Sequence, residues 1–134
     1  MISFSIPMKP VAKGRPRVTK RGFTYTPKKT ADAEKIVALY GRQAMGSEPP
    51  SDFPIFMDLD FAISPPRSWT KKKTEAAIVG KIFPASRPDL DNYCKLVEDA
   101  LNGICYKDDS QIVRLLACKR YALRDNIFVS IQEA

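Results

Sequence analysis

The 134-residue chain contains no histidine. That absence removes Ser-His-Asp and Cys-His catalysis and the usual zinc ligand sets. Cys94, Cys105 and Cys118 are odd in number and none stands in a CxxC pair, so they read as reduced, mostly buried thiols. Any chemistry therefore falls to carboxylates, lysines, hydroxyls or a hard metal ion. Three acidic pairs are the candidates. Asp58 and Asp60 lie two apart in strand-like sequence and share one polar face, which a solvated strand explains without a function. Asp89 and Asp91 stand where a loop enters a helix, and for an isolated pair helix capping is the better account. Their neighbours add to it. Arg87 precedes the pair, Lys95 lies one turn beyond Asp91 on the same stripe, and Asp108-Asp109 follows the helix.

Geometry permits these acids to meet. From Asp91 to Gly103 the helix rises about 18 Å at about 1.5 Å per residue. The steps from Gly103 to Asp109 span roughly 20 Å if extended. A near-straight return would just place Asp109 beside Asp89 and Asp91. Three carboxylates so gathered cannot stay ionised together without a compensating cation. Oxygen-only ligands favour magnesium, with manganese as a substitute, over zinc. Such an ion would activate and orient a water and neutralise charge on a scissile phosphate. Lys95 would add positive charge near the leaving oxygen. Its plainer role is an i,i+4 pair with Asp91 or Asp99, worth roughly a few tenths of a kcal/mol, and the two roles are compatible.

The elements that must position these groups follow from periodicity. Ile2, Phe4, Ile6 and Met8 alternate with serines as a half-buried strand. A stretch punctuated by Gly14, Pro16, Gly22 and Pro27 predicts a loop or loose hairpin, in which Phe23 and Tyr25 either stack on bases or pack beneath the hairpin. Thr30 reads as the N-cap of a helix with Asp32 and Glu34 in its first turn, an apolar stripe of Ala33, Ile36, Val37, Tyr40 and Ala44, and a stop at Gly46. Ile55, Met57, Leu59, Phe61 and Ile63 alternate strictly as a second strand. A short basic helix is predicted over 70–79, ended by Gly80, and residues 81–88 form an extended loop. In the next helix Tyr93, Leu96, Val97, Ala100 and Leu101 make the apolar stripe, opposite Asp91, Lys95, Glu98, Asp99 and Asn102. The run from Gln111 to Leu123 predicts a largely buried strand, and Ile127, Val129 and Ile131 a last one. The order β–α–β–α–α–β–β gives a single α+β domain over residues 1–134, a mixed sheet of about four strands with two to three packed helices.

Charge narrows the partner. Residues 9–30 hold eight basic residues and no acid, whereas the remainder holds 14 basic and 15 acidic residues, so one segment carries the whole net charge of +7. A solubilising loop is the plain explanation of a charge run alone. Together with the acidic site it suggests a polyanion, whose neutralised phosphates release counterions. Lys13, Arg15, Arg17, Lys20, Arg21, Lys28 and Lys29, with Lys71, Lys72 and Lys73 of the basic helix, are the candidate DNA contacts. No apolar run reaches the length of a membrane span, and the start MISFSIPMKP lacks a basic n-region and a cleavage site, so the expected location is cytoplasmic.

The stretch RPDLDNYCKLVEDALNGICYKDDSQIVRLLACKR, from Arg87 to Arg120, resembles the signature region of RusA-type Holliday-junction resolvases. The shared features are PDLDN, a lysine four residues after the second aspartate, DALNG, and KDDSQI opening a strand. The blocks PVAKGRPRVTKRGFTYTPKKT and PPRSWTKKK resemble the phage-associated branch of that family. The resemblance implies Asp89, Asp91 and Asp109 as metal ligands, Lys95 as catalytic lysine, a magnesium cofactor, and a homodimer that places paired nicks in a four-way junction. Asp108 would support the ligands, and Asn92 would orient them or simply cap the helix. Two other readings stay open: a branched-DNA-binding protein whose aspartates only cap helices, and a metal nuclease directed at flaps or forks.

Overall fold

A computed structural model describes residues 2–134. The chain runs β1 (Ile2–Ile6), a small hairpin of β2 (Arg17–Val18) and β3 (Thr24–Tyr25), α1 (Lys28–Met45), β4 (Ile55–Ile63), α2 (Lys71–Ile78), α3 (Leu90–Ala100), a 3-10 turn (Asp109–Gln111), β5 (Ile112–Tyr121) and β6 (Asn126–Glu133). The four long strands form one mixed sheet in the order β1-β6-β4-β5, so the α+β expectation holds. β4 and β5 are parallel, as their connection through α2 and α3 allows, while β6 lies antiparallel to both β1 and β4. β5 and β6 follow one another in sequence yet are separated by β4. Asp125, in the turn between them, accepts from the Ser64 amide (2.8 Å) and hydroxyl (3.1 Å), tying that turn to the end of β4.

The alternating residues of the central strands build the core. Ile55, Met57, Leu59 and Phe61 of β4 and Ile127, Val129 and Ile131 of β6 face one side, where Ala33 and Val37 of α1 and Tyr93, Leu96, Val97, Ala100 and Leu101 close over them. The predicted stripe of α3 is buried in full, and Phe61 stacks on Tyr93 at 5.2 Å between ring centroids. The alternate residues of β4 point to the opposite face of the sheet. Asp58 lies exposed there, and Asp60 takes a bidentate pair from Arg120, with bonds of 2.9–3.1 Å.

Three expectations are corrected. The strand from Gln111 onward is not buried: β5 is a sheet edge, Val113 and Leu116 are exposed, and no residue of the strand is fully covered. An apolar run does not distinguish an interior strand from an edge. Helix α1 begins at Lys28 after Pro27, two residues before the expected cap, and its first turn holds no acid. Pro27 takes the cap position itself, its carbonyl accepting from the Ala31 amide at 3.0 Å with no side-chain cap. Thr30 is instead buried inside the helix, where its hydroxyl accepts from the Gly14 amide at 3.0 Å. Finally, Thr30, Ala33, Val37 and Gly41 form the buried stripe of α1, and Ile36 is exposed. The short helix fares better. Thr70 caps α2 by accepting from the Lys73 amide at 3.2 Å.

Candidate active site

Helix α3 positions the central groups. Its amphipathic sequence buries one stripe, which obliges Asp91, Lys95 and Asp99 to stand on the other side. Asp89 occupies the N-cap position, but its carboxylate makes no capping bond. Asp91 sits in the first turn and accepts from the Asn92 amide at 3.0 Å. Capping therefore does not account for Asp89. The loop before it is held from the sheet: Lys119 of β5 donates to the carbonyls of Ser86 (2.8 Å) and Pro88 (2.9 Å).

Asp108 and Asp109 divide by function. Asp108 caps the 3-10 turn, accepting from the Ser110 amide at 3.1 Å while its own amide donates to the Gln111 side chain at 2.8 Å. Hydrogen bonds from Ser110, side chain first and then backbone, hold the Asp108 carboxyl below its ordinary range. Gln111 also donates to the carbonyls of Ser51 and Phe53, both at 2.9 Å, which fixes the turn against the connector before β4. Asp109 is thereby set toward α3, where its carboxylate receives Lys95 at 3.1 Å.

Lys95 is shared between two acids. Its ammonium lies 3.0 Å from Asp99 and 3.1 Å from Asp109, and these bonds, Asp99 first, raise its pKa well above the ordinary lysine value. Beyond Asp99 the ion pairs continue to Lys13, 3.2 Å away, and from Lys13 to Glu34 of α1 at 2.7 Å. Burial opposes the charge of Lys13, but Glu34 and Asp99 more than offset it and raise its pKa. Glu98 lies beside this array, and burial, with Asp109 and Asp99 nearby, pushes its carboxyl up against the opposing pull of Lys95.

Asp109 therefore meets Lys95, in the second turn of α3, by a compact path rather than the near-straight one that the spacing suggested. The chain after α3 closes a compact turn first, with Gly103 at φ 76° and its amide donating to the Tyr106 carbonyl at 2.8 Å. That turn takes up length an extended return would need. Among the described residues, no group of three histidine, cysteine, aspartate or glutamate side chains is arranged to hold a metal ion. Chemically the oxygen donors suit a hard divalent cation: the Asp89 carboxylate takes no capping bond from the helix amides and Asp109 is already a cation-binding carboxylate.

The basic segment folds against this site. The Lys13 amide donates to the Asn92 carbonyl at 2.9 Å, fastening the loop to the start of α3. A cavity of about 420 Å³ lies between this loop and the start of α1, its walls including Arg15, Arg17, Lys29, Thr30 and Pro88, the residue before Asp89. Arg15, Arg17, Lys20, Arg21, Lys28 and Lys29 are exposed, as are Lys71, Lys72 and Lys73. Lys13 is not; it is engaged by two acids, which the sequence did not foretell because neither partner is its neighbour in the chain. Phe23 and Tyr25 are exposed rather than packed beneath the hairpin. Trp69 makes an edge contact with Tyr121, and the Lys73 ammonium lies over its ring at 4.1 Å.

The family described as Endodeoxyribonuclease RusA matches residues 7–132. The Bacillus subtilis (strain 168) protein named "Uncharacterized protein YqaN" is 39% identical over 137 residues, an overlap that covers 98% of this chain and 96% of that protein. No helix among the described residues is long and apolar enough to cross a membrane. A match across nearly the whole chain, including all of the Arg87–Arg120 signature, shows that the protein belongs to the RusA endodeoxyribonuclease family.

Proposed function

We propose that the protein is a magnesium-dependent endodeoxyribonuclease that resolves four-way junctions by paired, symmetric nicks during DNA recombination and repair. Family membership supplies the nuclease class and the branched DNA substrate. The observation that carries the residue assignment is the meeting of Lys95 and Asp109, 14 positions apart, next to a helix start whose Asp89 carboxylate does no capping.

In this reading Asp89, Asp91 and Asp109 would hold magnesium, for which manganese could substitute. The bound ion supplies an activated water and neutralises charge on the scissile phosphate. The protein's own groups do the rest. Lys95, kept fully charged by its two acids, presents an ammonium to developing negative charge at the leaving oxygen. Arg15, Arg17 and Lys29, around the cavity beside Pro88, bind flanking phosphates and seat the strand against α3. Lys20, Arg21 and Lys28, with Lys71–Lys73 on the basic helix, hold the junction arms. The exposed rings of Phe23 and Tyr25 offer stacking surfaces to unpaired bases. Two copies related by a two-fold axis would present matching sites to opposed strands, so the active form is a homodimer. A cytoplasmic location follows from a DNA substrate.

The deciding experiment is cleavage of a labelled mobile four-way junction, with magnesium and with EDTA, beside a fork and a linear duplex. Symmetric nicks on the junction alone, lost with EDTA, are expected. Preferential cutting of the fork would redirect the nuclease to another branched target. Tight junction binding without cleavage in magnesium or manganese would leave a branched-DNA-binding protein.

A further inference from the structure

Of the eight cations in residues 9–30, Lys13 is drawn inward and joined to two carboxylates. The resulting ladder is Glu34–Lys13–Asp99–Lys95–Asp109, with ion-pair distances of 2.7, 3.2, 3.0 and 3.1 Å in that order. It crosses four parts of the fold: α1, the loop after β1, the polar side of α3 and the 3-10 turn. The two oxygens of Asp99 are divided, Oδ2 to Lys13 and Oδ1 to Lys95. Opposed cations on both oxygens fix the plane of that carboxylate. Remove Lys13 and Asp99 is free to turn about its last torsion, which for a carboxylate is broad and weakly restrained.

Exposure singles out one member of the ladder. The Lys13, Glu34, Asp99 and Asp109 side chains are 24%, 23%, 20% and 25% exposed, whereas Lys95 is 52% exposed. The Lys13 end is also held by the Lys13 amide bond to Asn92, while Lys95 is the member that faces solvent. An exposed ion pair alone is weak and loses side-chain entropy when ordered. A network anchored by half-buried members orders its exposed one better than any of its pairs alone.

We propose that Lys13 is a positioning residue for Lys95: it fixes Asp99, and Asp99 holds the Lys95 ammonium toward Asp109. This role for Lys13 replaces the DNA contact expected from the sequence. Its charge is neutralised within the protein, so it adds little to the attraction for phosphate. The consequence for catalysis rests on the nuclease reading above; the ordering of Lys95 does not.

The test has two arms on the full-length protein. In the first, the lysine ammonium groups are followed by proton–nitrogen NMR in wild type, Lys13→Met and Asp99→Asn. An ordered Lys95 ammonium signal is expected in wild type and is lost in both variants. In the second, Lys13→Met is expected to slow single-turnover junction cleavage about 10- to 100-fold, with the junction Kd in EDTA and its salt dependence within two-fold of wild type. Lys13→Met added to Lys95→Ala is expected to slow cleavage no further, since the effect passes through the absent ammonium.

If Lys13→Met does not fold, Glu34→Gln, which keeps every cation, is expected to weaken the Lys95 signal in the same direction. An unchanged or absent Lys95 signal in the wild-type comparison overturns the proposal. So does a Lys13→Met variant whose main defect is weaker binding with a salt slope reduced by about one, the mark of a lost phosphate contact. Wild-type protein that cleaves nothing would refute the nuclease reading alone, and the NMR arm would still decide the positioning role.

Discussion

Asp108 and Asp109 are adjacent in sequence, yet one closes a 3-10 turn and the other receives Lys95. That division makes the two replaceable to different degrees. Asp109→Asn, like Asp89→Asn or Asp91→Asn, is expected to abolish junction cleavage while junction binding in EDTA stays within a few-fold of wild type. Normal cleavage by all three would refute the metal assignment. Lys95→Ala is expected to reduce turnover on the order of 100-fold, the scale seen when one preorganised electrostatic donor is removed. A defect confined to binding would contradict its role. On the far side of the sheet, the Asp60–Arg120 pair concerns stability alone. Burial raises the Asp60 carboxyl, but bonds from Arg120 and Cys118 outweigh it and leave the folded pKa below the ordinary value. The stabilisation is thus fully present above the unfolded pKa, about 3.9. It is lost as pH falls through the lowered folded value. Both partners are partly exposed, so Asp60→Asn is expected to lose about 0.5–1 kcal/mol at neutral pH and little near pH 3. Urea unfolding at the two pH values checks this.

Between elements, the approach of α1 to α3 depends on Gly41. A Cβ there would lie 2.5 Å from Leu101 Cδ2, 3.5 Å from Ile104 Cγ2 and 3.7 Å from Cys105 Sγ. Leu101 is fully buried. Glycine inside a helix costs roughly 1 kcal/mol relative to alanine, so propensity alone favours Gly41→Ala. Overpacking of a filled core costs about 1–3 kcal/mol and should win. The expected outcome is a lower thermal midpoint, with cleavage impaired as well because α3 carries the site. A raised midpoint would mean the helices separate without strain. The edge position of β5 also matters for function: only a strand at that side of the sheet can carry Lys119 to the loop before Asp89.

At the scale of the molecule, the net charge of +7 is a property of one docked segment rather than of the surface as a whole. The segment is tied down at Lys13 and Gly14 and leaves its remaining cations exposed to solvent. Neutralising Arg15, Arg17, Lys20 and Arg21 together is expected to weaken junction binding and to reduce the slope of log K against log salt by about 3 to 4, near 0.9 per phosphate contact. Unchanged binding would make the hairpin a solubilising loop.

How much of this was legible in the sequence varies with the range of the interactions involved. Period-two alternation fixed β1, β4 and β6, and the apolar stripe of α3 dictated which side of that helix Asp91, Lys95 and Asp99 would occupy, because those patterns depend only on local backbone geometry. The motif around Asp89, Lys95 and Asp109 likewise identified the family from residue types and spacing. Strand order was not available: whether the apolar run of β5 lies inside the sheet or at its edge depends on which strands pair, and that is settled by contacts far apart in the chain. Nor was the inward turn of Lys13, since its partners Glu34 and Asp99 are brought to it from two different helices. The sequence determined which groups the protein has for its chemistry and on which faces they stand. Tertiary structure decided which of those charges neutralise one another and which remain exposed, because ion pairing is a matter of distance in space and not of position along the chain.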